Sequence, residues 1–411
     1  CGFAWDLTSI VTFRFFQGGF GAVLVPISQA VVLESFPREK RDRAMSVWGI
    51  AMMSGPILGP VVGGWITENW DWRAIFFINI PIGLIALLLC FGRVEGTSTR
   101  KKIQTDWQGL ILLSIFLASL QMFLDQGHTR DWFESGVIWS LAWVACASFA
   151  LFLVHSLNVK SSIIDLSLFA DRNFAVGNLL MAGYGFAMYS TIVMWPLFAQ
   201  EVMGYPADTA GWVLAPRGLV CAVVMYVVGS WLAPRVDNRV LIFLGFFLSV
   251  FASMMMTQLS LEIDMSGLIF PGLVFGVAIG CVFSQLSVAV FETIPTEKSE
   301  EAAGLYNVMR TMGGAIGVSV TSTLLVRREQ VNWNYLVVEI SDTNPRLYDW
   351  LANSPETLRG SWGLPTLFGE FMRQVQVKAF NEVFFFLALV FAALTPMTFL
   401  LKKTTRDKST T

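Results

Sequence analysis

Charged residues are scarce in this 411-residue chain. Asp, Glu, Lys and Arg make up 14% of it, whereas a soluble protein usually carries about 25%. Hydrophobic residues make up 55%, and the mean hydropathy is +0.60. The net charge of -2 comes without a basic stripe or recognition motif, so nucleic acid is not an expected partner. The composition predicts a membrane protein.

Histidine and cysteine are also scarce. The chain has two histidines, and its five cysteines lack the spacing of a disulfide framework or a zinc site. An intramembrane enzyme would need clustered acids or paired mid-span histidines, and a channel would need a filter segment. The sequence contains none of these patterns, so we expect neither an enzyme nor a metal or other cofactor. No signal peptide is visible at Cys1, and we expect the chain to be a fragment.

Long apolar runs are abundant. A helix needs about 20 apolar residues to cross a bilayer, and on that criterion the chain contains eleven spans. They are predicted near residues 9–33, 44–66, 74–92, 107–124, 136–156, 174–200, 207–232, 240–259, 267–291, 302–325 and 379–401. The sequence therefore predicts an all-α polytopic membrane protein.

Lysine and arginine are unevenly distributed between the predicted loops. Alternate loops hold most of them, including Arg38, Lys40, Arg41 and Arg43 in one loop and Lys402 and Lys403 after the last span. Cytoplasmic loops carry this excess in membrane proteins. We therefore expect the C-terminus to be cytoplasmic and the long loop 326–378 to lie outside.

The chain repeats itself at a constant spacing. The matched pairs include Gly18 with Gly276, Glu34 with Glu292, Pro37 with Pro295, Gly55 with Gly313, and Gly59 with Gly317. Such a parallel half-repeat is expected of a major-facilitator transporter. The same spacing places the counterparts of three spans upstream of residue 1, so eleven of fourteen expected helices would be present. We expect residues 1–92 to form the second half of one six-helix bundle, 93–157 two extra spans, and 158–411 a second bundle.

A run rich in glycine and proline lies inside the second span, 44–66. It contains Gly55, Pro56, Gly59, Pro60, Gly63 and Gly64. Glycines four residues apart share a helix face and let a second backbone approach, and prolines in lipid require closely packed neighbours. The run indicates either ordinary packing of small residues or a helix that moves during transport.

Several motifs together resemble the fourteen-helix drug:proton antiporter branch of the major facilitator superfamily, the EmrB/QacA type. The glycine and proline run is similar to its antiporter motif, and residues 14–22 are similar to its R-x-x-Q-G-x-G-A motif. Residues 72–83 resemble its W-R-x-I-F-F-I-N-x-P-I-G signature. A degraded cytoplasmic loop motif contains Gly229, Arg235, Asp237 and Arg239, with Pro234 in place of the acidic residue.

The resemblance assigns Arg14 to proton coupling. An arginine within a span should face the bundle interior beside a carboxylate or carbonyl partner. It stays charged, so it would act by favouring ionisation of a neighbouring acid. Gln17 lies on the same face and is a candidate for hydrogen bonding to substrate, the alternative for both being a structural bond between helices.

Three further candidates lie in the second half. Arg217 is a candidate cavity residue, and Arg310 is either a cavity residue or a cytoplasmic latch. Glu382 is either a proton site or an acid that compensates the dipole at the start of the last helix. The proton carrier itself could belong to helices absent from this chain.

The sequence and the resemblance together predict export of lipophilic or amphipathic compounds in exchange for protons across the cytoplasmic membrane. The alternatives are export of a specific metabolite, siderophore or fatty acid, or a fragment that transports nothing. The resemblance also implies a possible periplasmic adaptor and outer-membrane channel at the loop 326–378, the alternative being a solvated lid without a partner.

Overall fold

The computed structural model describes residues 1–37, 40–91, 106–159, 164–295, 298–337 and 363–402, and every regular element within these ranges is helical. The predicted boundary at residue 93, the middle of the predicted outside loop and the end of the C-terminal tail lie outside them.

The first helix group contains α1 to α5. These helices are α1 (Leu7–Gly21), α2 (Leu24–Ser35), α3 (Arg41–Asn69), α4 (Ala74–Phe77) and α5 (Asn79–Cys90). Asp6 starts α1 with a capping box, in which its side chain accepts from the Ser9 backbone and the Ser9 hydroxyl accepts from the Asp6 backbone. The predicted span 9–33 is thus two helices with a short turn between them.

The next two helices along the chain belong to neither helix group. They are α6 (Trp107–Gly127) and α7 (Gly136–Asn158). Asp106 begins α6 by accepting from the Gly109 backbone, and its carboxylate also lies 2.8 Å from His155 Nε2 near the end of α7. Near the C-terminal end of α6, the Leu124 carbonyl accepts a hydrogen bond from the Ser319 hydroxyl. Ser319 belongs to the second helix group, so this bond joins α6 to that group.

The second helix group contains α8 to α13. Its helices are α8 (Arg172–Leu197), α9 (Ala207–Val227), α10 (Asn238–Met256), α11 (Met265–Phe291), α12 (Ser299–Leu336) and α13 (Gly363–Met397). Asp171, Asp237 and Asp264 cap the starts of α8, α10 and α11 with their side chains. Short π-helical turns extend α8 to Val202 and α9 to Leu232.

Helices lie at all eleven predicted positions, and their bounds differ from the prediction in several places. Nine segments within the described ranges are long and apolar enough to cross a membrane. The other two predicted spans are also helical: α4 and α5 form a shorter apolar segment, and α12 carries polar residues at both ends. The predicted loop 326–378 is too long, because α12 continues to Leu336 and α13 already begins at Gly363.

Most of the core lies in the second helix group. Its largest fully buried side chains include Trp195, Tyr184, Tyr306 and phenylalanines along α11 and α13. The first group adds Leu33, Met45, Trp48 and Met53 to the same hydrophobic cluster. The two groups therefore share one core at their contact.

Candidate functional site between the two helix groups

Helices α3 and α9 run antiparallel and touch through glycines at both ends. At one end, a Cβ atom added to Gly64 would lie 2.8 Å from the Ala207 carbonyl oxygen. At the other end, a Cβ atom on Gly229 would lie 2.9 Å from the Asp42 carbonyl oxygen and would overlap the Ser46 side chain. The two groups thus meet along α3 and α9 at backbone distance.

The predicted antiporter run lies in a continuous α3 that includes Pro56 and Pro60. A Cβ atom added to Gly55, Gly59 or Gly63 would meet nothing within 4 Å. The expected close approach of a second backbone is therefore absent at these three glycines among the described residues, because no described helix packs on that face. Within the run it occurs at Gly64.

The repeat counterparts of these glycines behave differently. A Cβ atom added to Gly313 or Gly317 of α12 would collide with the carbonyls of Ala182 or Phe186 on α8. Gly185 of α8 in turn faces the Arg310 carbonyl. Close packing through glycine is thus built into α8 and α12 of the second group.

A polar bridge joins the two groups between α2 and α12. Asn307 Nδ2 donates to Gln29 Oε1 at 2.7 Å and to the Ala303 carbonyl at 2.8 Å. Arg310 Nη2 donates to Asn307 Oδ1 at 3.0 Å. Arg310 is 5% exposed, and its Nε and Nη1 atoms have no hydrogen-bond partner among the described residues. Arg310 therefore takes part in the bridge with one nitrogen, while two of its donors bond to no described residue.

A second contact joins α3 to α11. The Ser46 hydroxyl lies 3.3 Å from the Ser284 hydroxyl, and both side chains are buried. Beside them, the Trp48 ring stacks on Phe283 with the centroids 6.0 Å apart. Small hydroxyls and one aromatic pair form a contact that can separate without leaving charges unpaired.

Arg217 is buried in α9, as expected for a cavity residue. It is 4% exposed, and its guanidinium lies over the Phe275 ring at 4.3 Å from the centroid. Both of its terminal nitrogens lack a hydrogen-bond partner in the part of the chain that the structure describes. The contact with Phe275 therefore leaves the terminal N–H groups of this guanidinium without an acceptor among the described residues.

Arg14 and Gln17 do not face the bundle interior, contrary to expectation. Both are exposed, and Arg14 Nη1 lies 3.4 Å from Gln17 Oε1 while its guanidinium lies over Phe76 at 4.9 Å. The neighbouring side chains Phe15 and Phe16 are exposed as well, because no described helix covers this face of α1. No carboxylate pairs with Arg14 among the described residues.

Glu382 does not lie at the start of the last helix. Because α13 begins at Gly363, Glu382 is in its interior, and compensation of the helix dipole does not explain it. Its carboxylate forms an ion pair with Arg328 Nε of α12 at 3.4 Å. Both side chains are partly exposed.

The loop motif closes the end of α9 and starts α10. Arg235 Nη1 donates to the Trp231 carbonyl at 2.6 Å and lies over its ring. Asp237 accepts from the Arg239 backbone and lies 4.0 Å from its Nε. These contacts are local, whereas Gly229 of the motif lies against Asp42 and Ser46 of the first helix group.

A cavity of about 420 Å³ lies beside the polar bridge. Its polar lining residues include Gln121, Asn307 and Arg310, and its apolar walls come from the α1–α2 turn, α6 and α12. Arg310 therefore lines a cavity and is bonded to the bridge between the groups. The cytoplasmic latch stays a prediction.

Sequence reasoning missed Gln29 and Ser46 and gave no role to Asn307. Each is a polar residue within an apolar helix, and Asn307 lies one helical turn before Arg310. That spacing places the amide and the guanidinium on one face. The pattern could have indicated Asn307, whereas Gln29 needed the packing of α2 on α12.

Comparison with known proteins decides the family. The Major Facilitator Superfamily model matches residues 1–318. The chain belongs to this superfamily. It is 33% identical to the fatty acid resistance protein FarB of Neisseria gonorrhoeae, over 98% of this chain and 80% of that protein. It is 32% identical to the multidrug export protein EmrB of Escherichia coli K12, over 96% of this chain and 77% of that protein.

Solved structures agree on the fold. The transporter is similar to a bacterial homolog of the human lysosomal transporter Spinster, in an inward-facing, unoccupied conformation. The TM-score is 0.52 at 15% identity, covering 98% of this chain and 80% of that one. Within the described residues, no cluster of His, Cys, Asp or Glu could hold a metal ion.

Proposed function

We propose that this chain exports lipophilic or amphipathic compounds across the cytoplasmic membrane in exchange for protons, by alternating separation of its two helix groups. The observation that carries this proposal is the contact between the groups. It consists of glycines, serines and one amide bridge around buried cations, all of which can separate and re-form. The multidrug and fatty acid names of the relatives support the same substrate range.

The candidate residues take separate roles in this proposal. Arg310 and Arg217 are proposed to face the transported compound, because both are buried and have donors that no described residue satisfies. Arg14 is proposed to act in proton coupling on the strength of the resemblance alone, and Gln17 is proposed to hydrogen-bond the transported compound. Glu382 is proposed as a secondary proton site that exchanges its proton when its ion pair with Arg328 opens.

The arrangement in the membrane is also part of the proposal. We expect residues 1–92 and 158–411 to act as the two moving bundles, with 93–157 as added helices and the C-terminus cytoplasmic. The glycine face of α3 is expected to receive a helix in the same way as Gly313 and Gly317 receive α8.

The outer ends of α12 and α13 support an adaptor partner. A helix of 38 residues is roughly 57 Å long, well beyond a hydrocarbon core of about 30 Å. Trp333 packs between Phe368 and Phe371, and Tyr335 beside it is 71% exposed. Photo-crosslinking from Tyr335 in intact cells should yield one defined adaptor product, identified by mass spectrometry. Uncrosslinked transporter alone would remove the adaptor from the proposal.

A narrower function is a second candidate. The similarity to FarB favours export of fatty acids as a specific class. A resistance and accumulation panel containing a cationic dye, a neutral drug and a medium-chain fatty acid separates the two functions. Protection against the fatty acid alone would favour the narrower one, and protection against nothing would indicate a chain that does not transport.

The central experiment measures proton release from acid-loaded inverted vesicles that contain the protein. Addition of a transported compound should release protons, and Arg14→Ala should reduce that release. Unchanged release in Arg14→Ala would remove Arg14 from proton coupling. Absence of substrate-driven release for every compound in the panel would refute antiport.

A further inference from the structure

Two chains of side-chain contacts lead from the first helix group to the Arg310 guanidinium. The polar chain runs from Gln29 on α2 through the Asn307 amide, and the aromatic chain runs from Trp48 on α3 through the Phe283 ring. All five side chains are at most 8% exposed. The contact between the two groups therefore reaches the same buried cation by two routes.

The polar chain is fixed in its direction by bonds within α12. Asn307 directs Nδ2 at the Ala303 carbonyl, 2.8 Å away, and Oδ1 at Arg310 Nη2, 3.0 Å away. Gln29 then meets Asn307 Nδ2 with its Oε1 at 2.7 Å, and its buried Nε2 bonds to no described residue. A buried donor without an acceptor is costly. The bond between the groups therefore carries a penalty that the two bonds within α12 do not carry.

The aromatic chain starts beside the polar one. Trp48 Nε1 donates to Ser28 Oγ at 3.0 Å, and Ser28 precedes Gln29 in α2. The Trp48 and Phe283 rings are stacked, 12° from parallel and 6.0 Å apart at their centroids. The Arg310 guanidinium lies 5.7 Å from the Phe283 centroid, within the range of a cation–π contact. Both chains thus begin at one turn of α2 and end on one guanidinium.

Separation of the two groups would remove both chains at once. An arginine side chain has several rotatable bonds, so a single orientation requires contacts that hold its guanidinium. Asn307 and Phe283 supply these contacts, and the other two guanidinium nitrogens have no partner among the described residues. Without Gln29 and Trp48, the Asn307 amide and the Phe283 ring each lose a neighbour that fixes them. The orientation of Arg310 is therefore best defined while the groups are in contact.

We propose that Asn307 and Phe283 are positioning residues, which hold Arg310 in one orientation toward the transported compound while the groups are in contact and release it when they separate. The compound then binds the two states with different affinities, which is the condition for a ligand to shift the equilibrium between them. This inference rests on the proposed export function and specifies how the buried cation of that function is controlled. Gln29 and Trp48 are the residues through which the first helix group acts on Arg310.

The first test measures the accessibility of Arg310 while the groups are locked in contact. Ser46→Cys and Ser284→Cys, in a chain whose five native cysteines are replaced by alanine, are oxidised to a disulfide so that separation cannot contribute. Phenylglyoxal, which modifies guanidinium groups, is added to this protein in nanodiscs, and mass spectrometry gives the rate of modification at each arginine. Arg217 is similarly buried and belongs to neither chain, so it is the internal control.

Loss of either chain should free the guanidinium. Gln29→Leu and Trp48→Leu should each raise the rate at Arg310 about three- to tenfold, as expected for the loss of one hydrogen bond or one ring contact, and leave the rate at Arg217 unchanged. Gln29→Glu, which keeps the acceptor oxygen, and Trp48→Phe, which keeps a ring, should leave the rate as in the locked parent. Val31→Leu, at an exposed position of α2, is the matched control and should change neither rate. An unchanged rate at Arg310 in both leucine variants, or an equal rise at Arg217, would overturn the proposal.

A second test uses transport and separates this proposal from export itself. Ethidium and decanoate are the probes in the proton-release assay, with protein that lacks the lock. Gln29→Leu should raise the half-saturating concentration of a transported probe about three- to tenfold, but less than about twofold when Arg310→Gln is also present, because the effect acts through Arg310. Equal effects in both backgrounds would show that Gln29 has a structural role alone and would overturn the proposal.

The two tests together distinguish the possible failures. If neither probe releases protons but the accessibility of Arg310 depends on Gln29 and Trp48, export is wrong and the positioning of Arg310 stands. If protons are released while the accessibility of Arg310 is independent of both residues, the positioning is wrong and export stands.

Discussion

Replacing Gly229 by alanine should weaken the contact between the two helix groups. The three atoms nearest to an added Cβ all belong to α3 of the other group: the Ser46 hydroxyl, the Ser46 Cβ at 2.5 Å and the Asp42 carbonyl oxygen at 2.9 Å. Gly229→Ala therefore clashes mainly between the groups. Packing within the second group should change little.

The size of the effect follows from the kind of clash. The Ser46 hydroxyl can rotate away, but its Cβ and the Asp42 backbone cannot move without shifting α3. Inserting one methyl group into a tight contact costs about 1–3 kcal/mol. The contacting state should lose population relative to the separated state by about 5- to 150-fold.

The assay is the rate at which a maleimide labels Ser284→Cys in a chain whose five native cysteines are replaced by alanine. Ser284 is fully buried beside Ser46, so labelling requires the groups to separate. Gly229→Ala should accelerate labelling at least about fivefold. Gly304→Ala, where an added Cβ meets nothing within 4 Å, is the control. Equal labelling rates in the two variants would refute the reasoning.

Three other predictions concern stability. Gly317→Ala should destabilise the protein by about 1–3 kcal/mol because its Cβ meets the Phe186 carbonyl, whereas Gly304→Ala on the same helix, where an added Cβ meets nothing within 4 Å, should not; thermal unfolding measures both, and equal shifts would contradict the packing of α8 on α12. Lys298 lowers the pKa of the Asp165 carboxyl through their hydrogen-bonded ion pair. The pair therefore adds to the free energy of unfolding at neutral pH. This contribution is lost as the pH falls below the ordinary pKa of 3.8 and through the lowered one. The difference in melting temperature between the wild type and Lys298→Met should therefore be constant from about pH 5 to 8 and shrink in acid. A difference that grows in acid would contradict the direction of the pKa shift. A double-mutant cycle on Arg328 and Glu382 should give a coupling of about 0.2–1 kcal/mol, because both side chains are partly exposed, and a coupling of several kcal/mol would show a buried pair instead.

The positions of the helices could be predicted from the sequence, since apolar runs of sufficient length reflect the bilayer directly. The end of the predicted span 302–325 and the start of 379–401 were wrong because hydropathy measures the membrane part of a helix. Helices α12 and α13 continue as polar helices to Leu336 and from Gly363. Hydropathy has no signal for that continuation.

The candidate site was predictable only in part. Arginine in an apolar helix is unusual enough to identify Arg217 and Arg310, and both are buried as expected. The same rule predicted that Arg14 faces the bundle interior, whereas its side chain is exposed. Burial also depends on which neighbouring helices cover a helix face. Gln29 has no sequence signal of its own, because its role arises from the packing of α2 on α12.

Reversible locking of the groups tests alternating access most directly. Ser46→Cys and Ser284→Cys replace hydroxyls that lie 3.3 Å apart on opposite groups. In vesicles containing this variant, without other cysteines, substrate-driven proton release should stop on oxidation and return on reduction. Undiminished release from the fully oxidised protein would contradict transport by separation of the two helix groups.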